Sequence, residues 1–253
     1  MNQDTNKSEE PAVPTAGDAA RLLNHLAAAR PGHHKAVEAK ELPPQVALLR
    51  KFQSQRLSRT HADLLTSERY RPAAQFFLND VYAPRDFSQR DADLMRFYEG
   101  VRKVLPERAV AILADVVELA GLTDQLDTQL AAVLVSRLGV TDRITLEQYA
   151  EAYRICDNYD PRLHQINLIN RIGLGIDKLV HIPLIGLSLK LAHAPAVLAG
   201  WGELQGYLER GFAAFKHMKG AEGFLNAISS RETNILDRIF ANHPEPFQMT
   251  SDG

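Results

Sequence analysis

Residues 144–181 read ITLEQYAEAYRICDNYDPRLHQINLINRIGLGIDKLVH, and their punctuation sets the fold class. Thr145 and Gln148 have the spacing of a capping box, in which the threonine hydroxyl accepts from the N3 amide and the glutamine reaches back to the threonine amide. Ile144 and Tyr149 flank it as a hydrophobic staple. A helix start is therefore predicted at Thr145. Asp160-Pro161 supplies an N-cap and a first-turn proline for a longer helix, which should end near His181 because Pro183 follows. Along it Leu163, Ile166, Ile169, Ile172, Ile176 and Leu179 recur every three or four residues, the period of a helix with one buried side. No stretch of the chain alternates apolar and polar residues convincingly, as a half-buried strand would.

The same signals extend both ways. Helices are predicted from Pro44 onward. Ser88-Gln89-Arg90-Asp91 repeats the capping-box spacing and predicts a helix to Leu105. Pro106 opens a helix predicted over 107–120, which Gly121 should end. A further helix over 122–138 carries Leu122, Leu126, Leu130, Val133 and Leu134, and Gly139 closes it. Downstream, 195–218 sets Val197, Trp201, Leu204, Leu208, Gly211, Phe215 and Met218 at alternating spacings of four and three. That is a heptad seam, expected to serve as bundle core, with Gly211 admitting a close neighbour. The last helix is predicted over 221–241. The fold class is all-α: a single multi-helix bundle of about eight helices over 43–243. Residues 1–42 are expected to form a disordered tail with a short helix over 18–30 and a linker, and 244–253 a flexible C-terminus.

Composition narrows the function classes. Hydrophobic residues make up 45% of the chain, enough for a sizeable core. The net charge of −2, from 29 basic and 31 acidic residues, lacks the global footprint of a nucleic-acid binder. Cys156 is the single cysteine, so no intrachain disulfide forms and a reducing compartment is expected. The polar start MNQDTNKSEEPAVPTAG has no signal-peptide pattern. The longest apolar run, IPLIGLSLKLA from Ile182, falls short of the roughly 20 residues of a membrane span. The expectation is a cytoplasmic protein.

Charges on apolar faces mark the candidate site. In RYRPAAQFFLNDVYAPRDFSQRD, residues 69–91, Asp80 lies between the directions of Phe76 and Phe77 one turn back. In the last helix Phe224, Ile228, Ile235, Leu236 and Ile239 define an apolar arc; Glu232 falls inside it and Arg231 at its edge. Gln165 falls likewise among the isoleucines of the 161–181 helix. A buried carboxylate must be paired, hydrogen-bonded or protonated. The nearby arginines are Arg69, Arg71, Arg85, Arg90 and Arg231. Asp80 and Glu232 are therefore either the acids of buried ion pairs or the two candidate catalytic carboxylates, joined by Tyr82 and His61 around an internal pocket. Tyr82, Arg85, Asp86, Arg90 and Arg231 are the candidate ligand- or partner-binding residues.

Other chemistries find little support. No Glu-x-x-His occurs, which a di-metal bundle needs on two helices, and the nine histidines lack zinc spacing. No metal site and no cofactor are expected. His61 lies with Leu57, Leu64 and Leu65 and reads as a boundary residue. His164 reads as part of a solvated face, Asp177 and His181 as a pair at a helix end, and Cys156 as a small core residue. GLGIDK lacks Walker spacing, and no G-x-S-x-G occurs. RKFQSQRLSRTH carries Arg50, Lys51, Arg56 and Arg59 without an acid, yet these residues spread around the helix. A solvated helix is favoured over a nucleic-acid face.

The block FFLNDVYAPRDFSQRDADL, residues 76–94, resembles a motif of an uncharacterised family of bacterial helical proteins. LERGFAAFKHM at 208–218 and FLNAISSRETNIL at 224–236 are similar to further parts of that family. The resemblance covers roughly Gln45 to Ala241 and implies an all-helical fold. It brings no activity, cofactor or catalytic residue. The functional expectation is non-enzymatic binding of a protein partner or small ligand. The alternative is an enzyme or cofactor-binding bundle built on Asp80 and Glu232.

Overall fold

A computed structural model describes residues 42–81, 93–94, 107–198 and 200–248. The tail with its predicted short helix and linker, and residues 249–253, lie outside these. So does the helix predicted from Ser88, apart from Asp93 and Leu94, which are helical and buried. The described residues form nine α-helices and no strand. They are α1 Pro44–Thr60, α2 Ala62–Thr66, α3 Arg71–Phe76 running into a π-helical turn Phe77–Val81, and α4 Glu107–Ser136. Then come α5 Leu146–Cys156, α6 Tyr159–Val180, α7 Pro183–Leu198, α8 Gly202–Met218 and α9 Glu222–Phe240. The all-α reading holds.

The central helix is α6, which packs against α4, α7, α8 and α9. Around it the apolar side chains gather into two cores. The first joins Leu49 of α1, Leu130 and Leu134 of α4, Tyr149 and Tyr153 of α5, and Ile235, Leu236 and Ile239 of α9. The second joins Leu64, Ala73, Phe76, Phe215 and Met218 with Phe224 and Leu225 of α9. A single helix, α9, thus serves both cores, and Glu232 stands on it between Leu225 and Ile235. After α9 the chain folds back: Phe247 packs on Tyr149, ring centroids 6.0 Å apart, and Arg238 donates to the Glu245 and Gln248 carbonyls.

The Thr145 capping box forms as predicted, with Gln148 N–H donating to Thr145 Oγ1 at 3.2 Å and Thr145 N–H to Gln148 Oε1 at 3.0 Å. Gly139 takes φ +65° after α4, with the Val140 amide donating back to the Leu134 carbonyl. Two predicted boundaries are wrong. Gly121 does not end a helix; α4 runs through it for 30 residues. Glycine inside a helix costs only about 1 kcal/mol relative to alanine, and the burial of Leu126, Leu130 and Leu134 along the continuing helix offsets that.

The seam predicted over 195–218 is likewise broken. The helix α7 starts earlier, at Pro183, and tolerates Pro195 near its end. Gly200 then takes φ +85°, a left-handed conformation that stops the helix, and the Trp201 amide donates to the Ala196 carbonyl at 2.8 Å in a Schellman pattern. Val197 consequently leaves the seam and is 49% exposed. Leu187, Leu191 and Leu198 are exposed on the same helix. The seam survives within α8, where Gly211 does admit a close neighbour: a Cβ there would stand 3.0 Å from the Phe76 ring. Among the described residues no single helix is long and apolar enough to cross a membrane.

A buried charge centre walls an internal cavity

Helix α1 presents Leu49, Gln53, Arg56 and Leu57 inward at helical spacing. It stops at His61, whose amide donates to the Leu57 carbonyl at 3.0 Å and whose carbonyl accepts from Leu64 and Leu65 at the start of α2. Backbone bonds on both sides therefore fix the His61 backbone at this junction. Opposite, Glu232 on α9 accepts from Arg56 NH1 at 2.7 Å on Oε1 and 2.6 Å on Oε2, and Oε1 also meets His61 Nε2 at 3.0 Å. The side chains of Arg56, His61 and Glu232 are 10%, 9% and 14% exposed. An ionised carboxylate can only accept, so His61 Nε2 carries the proton facing it.

Burial opposes the negative charge of Glu232. The field of Arg56 and the bond from His61 outweigh it and hold the carboxyl at about 2. Burial likewise opposes the Arg56 cation, yet Glu232 raises it above its ordinary value. The two groups are a fully ionised pair in an environment that would not tolerate either alone.

This centre forms part of the wall of a cavity of about 100 Å³. Its lining mixes apolar side chains, among them Leu57, Phe77, Ile166, Ile228 and Leu236, with polar ones: Gln53, Arg56, His61, Asp127, Tyr149, Tyr153, Arg162, Gln165, Asn170 and Glu232. Tyr149 and Tyr153 share a 2.9 Å hydrogen bond between hydroxyls, and burial pushes the Tyr153 phenol well up. The Arg162 guanidinium stands 4.7 Å over the Tyr153 ring.

Arg162 is the outlier. Its side chain is 4% exposed, and it donates only to neutral acceptors among the described residues: Gln165 Oε1 and the Leu126 carbonyl, each at 3.1 Å. Its nearest carboxylate, Asp127, is 3.9 Å away and takes a 3.0 Å bond from Gln53 and a 3.5 Å contact from Arg50. Four lining residues each keep a buried polar atom with no partner among the described residues: Arg56 Nε, Arg162 Nε, His61 Nδ1 and Asn170 Oδ1.

The two candidate carboxylates are not brought together. Glu232 lines the cavity; Asp80 does not. Asp80 is buried as expected, and its partner among the described residues, Arg210, is not one of the five arginines named from sequence; two of those five, Arg85 and Arg90, lie outside the described residues. Arg210 of α8 donates to Asp80 Oδ1 from Nε at 2.9 Å and NH2 at 2.6 Å. Arg231 turns to Asp63 in a two-pronged pair at 2.7 and 2.9 Å, which holds the Asp63 carboxyl below its ordinary value. Arg69 caps α8 by donating to the carbonyls of Met218 and Gly220, and Arg71 is exposed. Tyr82, Arg85, Asp86 and Arg90 lie outside the described residues.

The basic stretch of α1 is not the solvated face that was expected. Lys51 and Arg59 are exposed, whereas Arg56 meets Glu232 and Arg50 meets Asp124 and Asp127, each at 3.5 Å. Cys156 is half-buried beside the first core, and burial raises its thiol. His164 pairs with Glu118 at 2.7 Å on an exposed face, and His181 stands 3.8 Å from Asp177. Among the described residues no group of three or more His, Cys, Asp or Glu is placed to hold a metal ion.

The sequence reading missed Arg56, Arg162 and Arg210. Two were signalled. Arg56 is seven positions after Leu49 and three after Gln53, and Arg162 is three before Gln165, so both share a stripe with inward residues. Arg210 carried no such signal.

A family model described as "Domain of unknown function (DUF8198)" matches residues 32–246, and the chain belongs to that family. No curated protein and no solved structure matches it.

Proposed function

We propose that this DUF8198 domain holds a small organic molecule in the cavity between its two cores, as a binding domain rather than an enzyme. The observation that carries the reading is the mixed lining, apolar side chains together with buried polar atoms that have no partner among the described residues. Such atoms are rare in native interiors and cost free energy unless something bonds to them. Ligand sites have this composition: mostly apolar, with a few fixed polar groups. A ligand-observed NMR screen with molecules of up to about ten non-hydrogen atoms tests it. Binders are expected for the full chain and should be lost in Ile228→Trp, which fills the cavity from α9. A folded Ile228→Trp that binds the same molecules equally well would overturn the assignment.

One observation favours the enzyme reading. His61 is oriented through Nε2 by Glu232 and lines the cavity with Nδ1 unpartnered, the arrangement of a general base positioned by a carboxylate. On that reading, turnover of a cavity-bound molecule would vanish in His61→Gln while binding persisted. Binding without turnover in the wild-type chain supports the first reading.

A further inference from the structure

We infer that the molecule this cavity takes is a short-chain carboxylic acid, its carboxylate held by Arg162 and its alkyl tail laid against the apolar lining nearest that group, beginning with Ile166 one turn along α6. This rests on the reading of the cavity as a ligand site and adds the ligand's charge, size and polarity. The charge follows from Arg162. A guanidinium stays protonated wherever it is placed, and a buried cation needs an anion in hydrogen-bonding contact. Arg56 has one in Glu232. Arg162 has none closer than Asp127 at 3.9 Å, and its Nε–H is buried and unpartnered. A single carboxylate oxygen on that N–H supplies the missing charge-assisted bond. One under-neutralised cation calls for a monoanion.

The tail follows from the apolar lining. An inorganic anion would leave Ile166 and its apolar neighbours in the lining facing an ion, whereas an alkyl chain buries against them. The size follows from the volume. A cavity of about 150 Å³ accepts benzene, so about 100 Å³ suits roughly four to six non-hydrogen atoms on the same scale. Acetate, propionate and butyrate span that range. His61 Nδ1 and Asn170 Oδ1 also lack a partner among the described residues; solvent or a hydroxyl on the acid would serve them.

Titration calorimetry of the full chain near neutral pH tests this with acetate, propionate and butyrate against butyramide and n-butanol. Affinity should rise about fourfold for each added methylene. Butyrate should bind at least about tenfold more tightly than either neutral analogue, the usual worth of a charge-assisted bond. Arg162→Lys keeps the charge and removes the Nε–H; Arg162→Gln removes both. Each should weaken butyrate by about tenfold or more and leave n-butanol unchanged. If Arg162→Gln does not fold, Arg162→Lys decides. Equal binding of butyrate and the neutral analogues overturns the acid assignment and leaves the ligand site standing. So does unchanged butyrate affinity in Arg162→Lys. Absence of binding by all five probes, together with a failed fragment screen, overturns the site itself.

Discussion

Arg56 and Glu232, 176 residues apart in sequence, meet at 2.6 Å between the two hydrophobic cores. The pair joins the first helix of the bundle to the last. Because both groups are largely buried, removing one strands the other, at a cost of about 3–5 kcal/mol. Removing both in favour of apolar side chains of similar size is far cheaper. Glu232→Ala and Arg56→Ala should each lower the urea unfolding free energy by that amount. The double variant Arg56→Met, Glu232→Leu should lie within about 2 kcal/mol of the natural chain. Additive losses would show that the two groups do not depend on each other.

The same pair sets an acid limit. Glu232 titrates at about 2 when folded, against 4.5 for its ordinary value. A depressed carboxyl contributes stability that is present above the unfolded value and is lost as pH falls through the folded one. The window therefore runs from pH 4.5 down to about 2, and the contribution is about 3 kcal/mol. Measured by urea unfolding from about pH 6 to about pH 3, the gap between the natural chain and Glu232→Gln should narrow as pH falls. A gap independent of pH would contradict the assigned ionisation.

Two helical glycines should respond to alanine with opposite signs. At Gly121 an added Cβ meets nothing within 4 Å, so Gly121→Ala should raise stability by about 0.5–1 kcal/mol through helix propensity alone. At Gly173 the same atom would stand 2.5 and 2.8 Å from the two methyls of Leu225. Leu225 is 1% exposed and has little room to move, so overpacking of about 1–3 kcal/mol outweighs the propensity gain. Thermal unfolding of both variants checks the contrast, and stabilisation by Gly173→Ala would show that the α6–α9 contact yields.

Asp80 and Arg210 make a weaker counterpart. Asp80 is buried, but the Arg210 side chain is 51% exposed, so solvent screens the pair. A double-mutant cycle should return a coupling of about 1 kcal/mol, well below that of Arg56 and Glu232. Equal couplings would argue against the difference in burial as the deciding term.

Local chemistry was legible and long-range pairing was not. The Thr145 box, the Gly139 stop and the burial of Asp80 all depend on residues within one or two turns, so spacing revealed them. The break at Gly200 was missed because the leucines of α8 continue a heptad phase that Val197 and Trp201 match by coincidence. Gly121 misled because a stop signal loses to packing when the turns that follow carry buried leucines, here Leu126, Leu130 and Leu134. Arg210 and Arg56, which pair with Asp80 and Glu232, lie 130 and 176 positions away from them, where only the fold brings them near. Arg56 was hidden by its setting: a run of basic residues suggested a wet face, although its spacing from Leu49 and Gln53 aimed it inward.

The central claim, that Arg162 offers its Nε–H group to an acid in the cavity, is tested most directly at that atom. Proton–nitrogen spectra of the arginine Nε–H groups can be followed during a butyrate titration, with signals assigned from Arg56→Lys and Arg162→Lys. A saturable shift of Arg162, with the exposed Arg171 unmoved, is the predicted result. Saturating butyrate that leaves Arg162 unshifted, or shifts all arginines alike, would contradict it.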